Sequence, residues 1–338
     1  MTTYKGINGF AVQSVASDPS PLDEGQVWYN NATYAFKLAA LTTSGTWAAG
    51  GNLTTSLWAV GGAGTQTAAL GFGGYNGTSM SNVTQTYNGT SWTNVPGTLG
   101  TARYAMSATA GSQTAALAIG GSIGSTPPYV VANTEKYNGT SWTPTGNLNT
   151  ARRSGGGAGT QTAALAFGGF LFPPSDSAAS ESFNGTSWTN TPSLNSQRHG
   201  LGGCGTQTAA LAFGGGTPPN GGVKTTVTEL WNGTTWTSNP TGLNTARNGI
   251  SGSGIQTAAL AFGGTIVPGT KTSATELFNG TTWTSNSNGL ATARAVIGGA
   301  GTQTVALAFG GLDPSVAVNN TEEFTGPGSP VTQTITTS

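Results

Sequence analysis

Gly159-Thr160-Gln161-Thr162-Ala163-Ala164-Leu165-Ala166-Phe167-Gly168-Gly169 is the stretch that decides the fold. Nearly the same phrase ends at Gly74, Gly121, Gly169, Gly215, Gly264 and Gly311, at spacings of 47, 48, 46, 49 and 47 residues. A second phrase, Asn-Gly-Thr-Ser/Thr-Trp, keeps step with it, beginning at Asn88, Asn138, Asn184, Asn232 and Asn279. A period of this length means that each unit is one supersecondary element, unable to bury its apolar face alone and packed on its neighbours.

Working outward from Gly159, the residues Arg153 to Ala158 read as a small-residue strand, and Gly159-Thr160 as a tight turn. Gln161 to Phe167 reads as a second strand, with side chains alternating between its faces. Gly168-Gly169 ends it, and a loop of changing sequence runs from Phe170 to Ala179. Ser180 to Phe183 is a third strand. Asn184-Gly185 is a hairpin signal, since both residues tolerate positive φ, and Trp188-Thr189 opens a fourth strand. The Ala-Leu-Ala-Phe run is too short for a helix, lacks a 3.6 period and is bounded by glycines. Four antiparallel strands repeated at this period describe a propeller blade.

The ordered set of an apolar run with Gly-Gly, Glu-x-aromatic, Asn-Gly-Thr-x-Trp and Leu-x-x-x-Arg resembles the kelch repeat, over roughly Thr46 to Gly326. The resemblance implies an all-β, six-bladed kelch-like β-propeller. The Gly-His and Trp-Asp signature of the WD-repeat propellers is missing. Third-strand aromatics number six (Tyr87, Tyr137, Phe183, Trp231, Phe278, Phe324), but fourth-strand tryptophans only five (Trp92, Trp142, Trp188, Trp236, Trp283). Trp47, 45 residues before Trp92, supplies the sixth if an N-terminal strand closes the ring beside the C-terminal strands. A rival closure uses Val331 to Thr336.

Charge is scarce, with 11 basic and 11 acidic residues and a net charge of zero. Such a chain carries no electrostatic footprint for nucleic acid or an anionic membrane. Most charges belong to one device. Arg103, Arg152, Arg198, Arg247 and Arg294 precede the first strand of five units, and Glu135, Glu181, Glu229, Glu276 and Glu322 sit in the third strand of the same five. The first unit has Leu57 and Gln85 instead, so arginine and glutamate are lost together. Five structural, bidentate ion pairs are expected; the functional alternative is a cationic ring catching an anion at a channel mouth.

Enzymatic signals are thin. The kelch family includes copper oxidases, whose chemistry needs two histidine ligands and a Cys–Tyr cross-link; this chain has one histidine, His199, and one cysteine, Cys204. His199 reads as a solvated residue at the start of a blade, and Cys204 as a small buried apolar side chain. Asp18, Asp23, Glu24, Asp176, Asp313 and Glu323 are the acids left over, too scattered to mark a carboxylate pair. The Gly-Gly strings open no helix and are not phosphate loops. Asn-Gly-Thr matches a glycosylation pattern but reads as a hairpin turn, because no secretory signal is seen at the start. No catalytic residue, metal site or cofactor is assigned, and a carbohydrate-active enzyme stays a secondary alternative.

Variation concentrates in the loops between second and third strands. There Tyr75, Tyr129, Phe170, Leu171, Phe172, Ile266 and Val267 are apolar or aromatic, and all but Tyr75 stand beside Pro-containing turns. Loops on a rigid frame often carry function, so these residues are the candidate ligand- or partner-binding set.

The segment from Asp18 to Lys37, followed by Gly45-Thr46-Trp47, lies largely outside the repeat. Its Glu24-Gly25-Gln26-Val27-Trp28-Tyr29-Asn30 core resembles a segment frequent in bacteriophage tail-fibre and other virion proteins. By itself it reads as a hairpin of Gln26 to Tyr29 with Thr33 to Leu38, preceded by an extended arm of about fifteen residues. The expected organisation is an N-terminal arm and hairpin for virion docking (1–43), a propeller (44–326) and a C-terminal tail (327–338). The resemblance implies a phage structural protein assembled in the bacterial cytoplasm, without fixing its place on the particle; the function expected is that of a non-enzymatic virion component in a tail fibre or tail tip. Its implied partners are other virion proteins through the arm and a host-surface glycan or protein through the loops, with no nucleic acid and no membrane. A capsid or tail decoration protein is the alternative, and a homo-oligomer stays open.

Overall fold

The computed structural model describes residues 12–21, 26–41, 44–106, 108–124, 126–127, 129–219, 221–328 and 330–335. The first eleven residues of the expected arm, and Asp23 and Glu24, lie outside them. Among the described residues the chain is all-β, with four-stranded sheets and no helix, a propeller-like architecture. It divides into two units, Thr46–Thr325 and a smaller one made of Met1–Gly45 with Gly326–Ser338.

In the larger unit each repeat forms one antiparallel sheet in chain order. The third repeat is Gly156–Gly159, Ala164–Phe167, Ser180–Phe183 and Trp188–Thr191. The last repeat takes its outer strand from the chain's beginning: Thr46–Gly50 pairs with Thr321–Thr325, placing Trp47 opposite Phe324. The rival strand, Pro330–Thr334, instead pairs with Ala35–Leu41 in the smaller unit, so the expected tail belongs to that unit's sheet.

Two local expectations are corrected. The second strand begins at Ala164 rather than Gln161, because Thr160 to Ala163 form the turn: the Thr160 amide donates to the Ala163 carbonyl at 2.9 Å. At the Asn-Gly hairpins only the glycine is left-handed (Gly185, φ 98°). Asn184 acts through its side chain, whose Oδ1 accepts the amides of Thr186 and Ser187 at 3.0 and 2.9 Å, an Asx turn.

Neighbouring sheets are joined by rows of hydrogen bonds that use the invariant letters of the repeat. Gln161 Nε2 donates to the Ala116 and Tyr137 carbonyls of the preceding sheet, and Gln113, Gln207, Gln256 and Gln303 do the equivalent. Gln66 of the first repeat reaches the Ala306 and Phe324 carbonyls of the last at 3.0 and 2.8 Å. Each outer-strand tryptophan donates Nε1 to a Thr or Ser hydroxyl of the preceding sheet, as Trp188 does to Thr134 and Trp236 to Ser180, both at 3.1 Å. Trp92 donates to Thr321 at 2.9 Å and Trp47 to Thr275 at 3.0 Å, so this row too passes from the first sheet to the last.

A third row is made by the backbone alone. Ala59, Ala105, Ser154, Gly200, Gly249 and Val296 occupy equivalent positions before the first strands, and all are left-handed, with φ between 47° and 62°. Ala105 N–H donates to Ala59, Ser154 to Ala105, Gly200 to Ser154, Gly249 to Gly200 and Val296 to Gly249. Ala59 N–H then donates to the Val296 carbonyl at 2.8 Å, returning the circuit to its start. Left-handed backbone is strained for alanine, serine and valine, and the six shared bonds offset that cost.

The apolar core lies between successive sheets rather than within one. Leu165 and Phe167 of the third repeat cluster with Ala210, Ala212, Trp231 and Trp236 of the fourth. Phe167 and Trp236 meet edge to face, their ring centroids 4.9 Å apart. Glycine makes room for this ring: a Cβ on Gly156 would stand 2.4 Å from Phe167 Cε2.

In the smaller unit Gln13–Val15 runs parallel to Val27–Asn30, which pairs with Ala35–Leu41. Trp28 is fully buried, and its Nε1 donates to Asp18 Oδ1 at 3.0 Å; Asn30 Nδ2 donates to the same oxygen at 2.7 Å. Successive side chains point to opposite faces, so Val27, Tyr29 and Phe36 share the face away from Trp28. There Val27 and Phe36 are exposed, and the Tyr29 and Phe36 rings are 5.1 Å apart.

Candidate recognition face

The five arginines are fully buried at the ends of their sheets. The nitrogen–oxygen distances are 2.6 Å for Arg103–Glu135, 2.8 Å for Arg152–Glu181, 3.0 Å for Arg198–Glu229, 2.9 Å for Arg247–Glu276 and 2.8 Å for Arg294–Glu322. The contact is not bidentate, which corrects the expectation from sequence. One guanidinium nitrogen meets Glu Oε1, while the other goes to backbone carbonyls, as Arg247 Nη1 does to Gly263 and Ala274 at 2.8 and 2.7 Å. The second carboxylate oxygen is taken by a backbone amide: Gly100, Asn149, Asn195, Asn244 or Ala291. Burial pulls all five guanidinium groups below their ordinary range, Arg198 to about 10. With no exposure, these cations cannot line a channel mouth. In the first repeat Gln85 is buried at the glutamate position, and its Oε1 accepts the Thr54 amide at 2.9 Å.

The residue after each arginine, or after Leu57 in the first repeat, faces the residue after each Gly-Gly. Backbone bridges join Trp58 to Tyr75, Tyr104 to Ser122, Arg153 to Phe170, His199 to Gly216, Asn248 to Thr265 and Ala295 to Leu312. Both positions change from repeat to repeat inside a nearly constant frame. Sequence reasoning missed the post-arginine position, although that variation was its signal. The expected loops are largely short hairpins: Phe170–Leu171 with Ser175–Asp176, Gly216–Thr217 with Val223–Lys224, and Leu312–Asp313 with Val316–Ala317.

These hairpins gather one cluster around Arg153. Its guanidinium lies over the rings of Tyr129 and Phe170, 5.4 and 5.2 Å from their centroids, and Tyr129 meets Phe172 edge to face at 5.4 Å. Phe172 is exposed, Tyr129 and Leu171 are half-buried, and Phe170 is buried beneath them against His199. Phe170 is therefore support rather than contact surface, a correction. His199 is not solvated as expected: its side chain is only 20% exposed, and its Nδ1 contacts Asp176, whose Oδ2 accepts the Gly221 amide at 3.0 Å. Asp176, a leftover acid in the sequence, thus ties two hairpins together.

A second cluster joins Trp58, Tyr75 and Tyr104. Trp58 meets Tyr75 and Tyr104 edge to face at 5.5 and 5.2 Å, and the two tyrosine rings stand 5.3 Å apart. Tyr75 and Tyr104 open onto a cleft of about 360 Å³. Ile266 is half-buried and Val267 exposed on the hairpin of the fifth repeat, in neither cluster.

At the first strands lies a cavity of about 160 Å³, lined by residues of all six repeats: mostly glycines, with apolar side chains such as Met106, Leu201, Ile250 and Ile297 and the hydroxyl residues Thr109, Ser154 and Ser251. Cys204 is buried, and burial pushes its thiol up to about 12, away from nucleophilic use at neutral pH. Among the described residues no group of three His, Cys, Asp or Glu could hold a metal ion. Asp18 binds Trp28 and Asn30, and Glu323 accepts the Tyr87 hydroxyl at 2.5 Å. No helix of the described residues is long and apolar enough to cross a membrane.

No protein-family model matches the chain, and no curated protein matches it either.

Proposed function

We propose that residues 44–326 form a closed, six-bladed, kelch-like propeller whose variable face recognises a host surface. The chain, in this reading, is a non-enzymatic virion component of a bacteriophage tail fibre or tail tip. Closure is supported by the backbone circuit from Ala59 through Val296 and by the Gln and Trp rows that run from the first sheet to the last. The virion setting is supported by the resemblance of the 24–30 segment, and the open Val27–Tyr29–Phe36 face of the smaller unit offers a docking surface for another virion protein.

One observation carries the recognition reading. Variation falls where the post-arginine and post-glycine residues meet, while the turns at the opposite end of the sheets repeat Gly-Thr-Gln-Thr almost unchanged. The Gln hydrogen bonds to the preceding sheet account for the constancy of one end, and the aromatic and cationic residues gathered at the other favour recognition there.

Adsorption of the purified chain to cells of the bacterium that carries the phage tests this. Saturable binding, weakened by the pair Phe172→Ser and Val267→Ser at unchanged melting temperature, is the expected result. Absence of binding, with the chain found in many copies over a capsid, would favour the decoration reading. Release of sugar from host envelope would favour an enzyme.

A further inference from the structure

We infer that the cleft onto which the packed pair Tyr75 and Tyr104 opens is a binding site for a neutral pyranose ring, a specific assignment that rests on the recognition reading above. The cleft is lined by Tyr75, Thr78, Met80, Tyr104, Ile123 and Thr126, together with Gly124. Among the described residues no charged side chain lines it, and the nearby Arg103 is buried and engaged by Glu135. Its volume of about 360 Å³ lies within the ~300–1,000 Å³ usual for small-molecule sites.

The chemistry of the lining selects the ligand. Aromatic side chains present broad apolar faces that suit the C–H face of a sugar ring. The hydroxyls of Tyr75, Tyr104, Thr78 and Thr126 have no protein hydrogen-bond partner among the described residues, leaving four groups that can each donate and accept. A polyol with one apolar face matches that set.

An extended peptide fits less well. The local backbone is already paired through the Trp58–Tyr75, Tyr75–Met80 and Tyr104–Ser122 bridges, so no free strand edge invites β-addition. An anionic sugar would find no cation among the described lining residues.

The platform is held before any ligand arrives. Trp58 and Tyr75 exchange backbone hydrogen bonds of 2.9 and 3.0 Å, and Tyr104 and Ser122 exchange bonds of 3.0 and 2.9 Å. The tip carrying Thr78 is fixed by Asn76 Oδ1, which accepts the Thr78 and Ser79 amides at 2.8 Å each. Preorganisation of this kind lowers the entropy lost on binding.

The test is a titration of the full chain with methyl glycopyranosides of glucose, galactose, mannose and N-acetylglucosamine, and with sialic acid. Tryptophan fluorescence and saturation-transfer NMR give the readout. At least one neutral pyranoside is expected to saturate, and Tyr75→Ala and Tyr104→Ala to weaken it about tenfold or more. Ile255→Thr, on an exposed residue of the opposite turns, is expected to leave the affinity unchanged. If either alanine variant fails to fold, Thr78→Val and Thr126→Val, both on exposed residues, decide the matter by weakening binding.

Failure of every neutral pyranoside, a preference for sialic acid, or unchanged affinity in the tyrosine or threonine variants would overturn the assignment. Cell adsorption separates the two readings. Wild type and Tyr104→Ala adsorbing equally would end the sugar assignment and leave recognition standing. Saturable sugar binding without adsorption would do the reverse.

Discussion

Trp47 and Phe324 face each other in register, their ring centroids 5.0 Å apart, one from the start of the larger unit and one from its end. The Trp47 ring also meets Phe262 of the preceding sheet at 5.1 Å, and its Nε1 donates to Thr275. One side chain therefore fastens the chain's beginning both to its end and to the fifth repeat. Burying a fully enclosed tryptophan is worth ~3–5 kcal/mol against alanine. Trp47 is half-buried, so Trp47→Ala should cost about 2–3 kcal/mol, read from denaturant unfolding, and should unfold the larger unit in one transition. An unchanged midpoint would show that this strand does not fasten the sheets.

Gln256 donates to the Ala210 and Trp231 carbonyls at 2.9 and 2.6 Å, across the junction of two sheets. Gln256→Leu keeps the bulk and leaves both carbonyls without that donor, at ~1–3 kcal/mol for each buried group left unsatisfied. A loss of at least about 2 kcal/mol is expected by chemical denaturation, with the isolated turn unaffected. A neutral outcome would mean that the repeated Gln is decoration.

Arg247 and Glu276 test whether the buried pairs act as units. Arg247→Met leaves a buried carboxylate without its cation and should cost about 3–5 kcal/mol. The double variant Arg247→Met with Glu276→Met should recover most of that loss, because two apolar side chains need no compensation. Host-cell binding per folded molecule should stay unchanged in both. A selective loss of binding at full stability would instead make the arginine ring a ligand site.

Alkaline stability reports on the junction of first and last sheets. Burial, reinforced by Glu323, pushes the Tyr87 hydroxyl up to about 12. An unfolded tyrosine ionises near 10, so the unfolded chain releases this proton first. The stability due to this group is thus complete below pH ~10 and is lost as pH rises through about 12. Tyr87→Phe should flatten that fall relative to wild type. Arg198, drawn down to about 10, acts in the opposite sense but equally in both proteins, so it cancels in the comparison. Equal slopes for the two proteins would contradict the assignment.

What was legible in the sequence follows from the range of each interaction. Strand order within a repeat depends on neighbours close in the chain, and the period exposes it. Trp47 is legible as the outer-strand tryptophan beside the C-terminal strands because it keeps step with the tryptophans of other units. Gln161 recurs as plainly, yet its partners, the Ala116 and Tyr137 carbonyls, lie one repeat earlier; a backbone acceptor leaves no letter in the sequence. An Asn-Gly pair supports either a left-handed asparagine or a side-chain cap, and Asn184 uses the cap. On the variable face, Phe170 looks like Phe172 in sequence but lies beneath His199 and Arg153, and which of two alternating residues points inward is set by the hairpin register. The pairing of His199 with Asp176 joins two repeats through residues that no other repeat carries, so repetition could not reveal it.

Native-state hydrogen exchange of the six left-handed amides tests the closed ring most directly. Ala59, Ala105, Ser154, Gly200, Gly249 and Val296 form one circuit of donors and acceptors. If the ring is closed, Ala59 N–H, which crosses from the first repeat to the last, exchanges as slowly as its five equivalents and opens only with global unfolding. Fast exchange at Ala59, with the other five protected, would mean that the sheets form an open arc and would contradict the account.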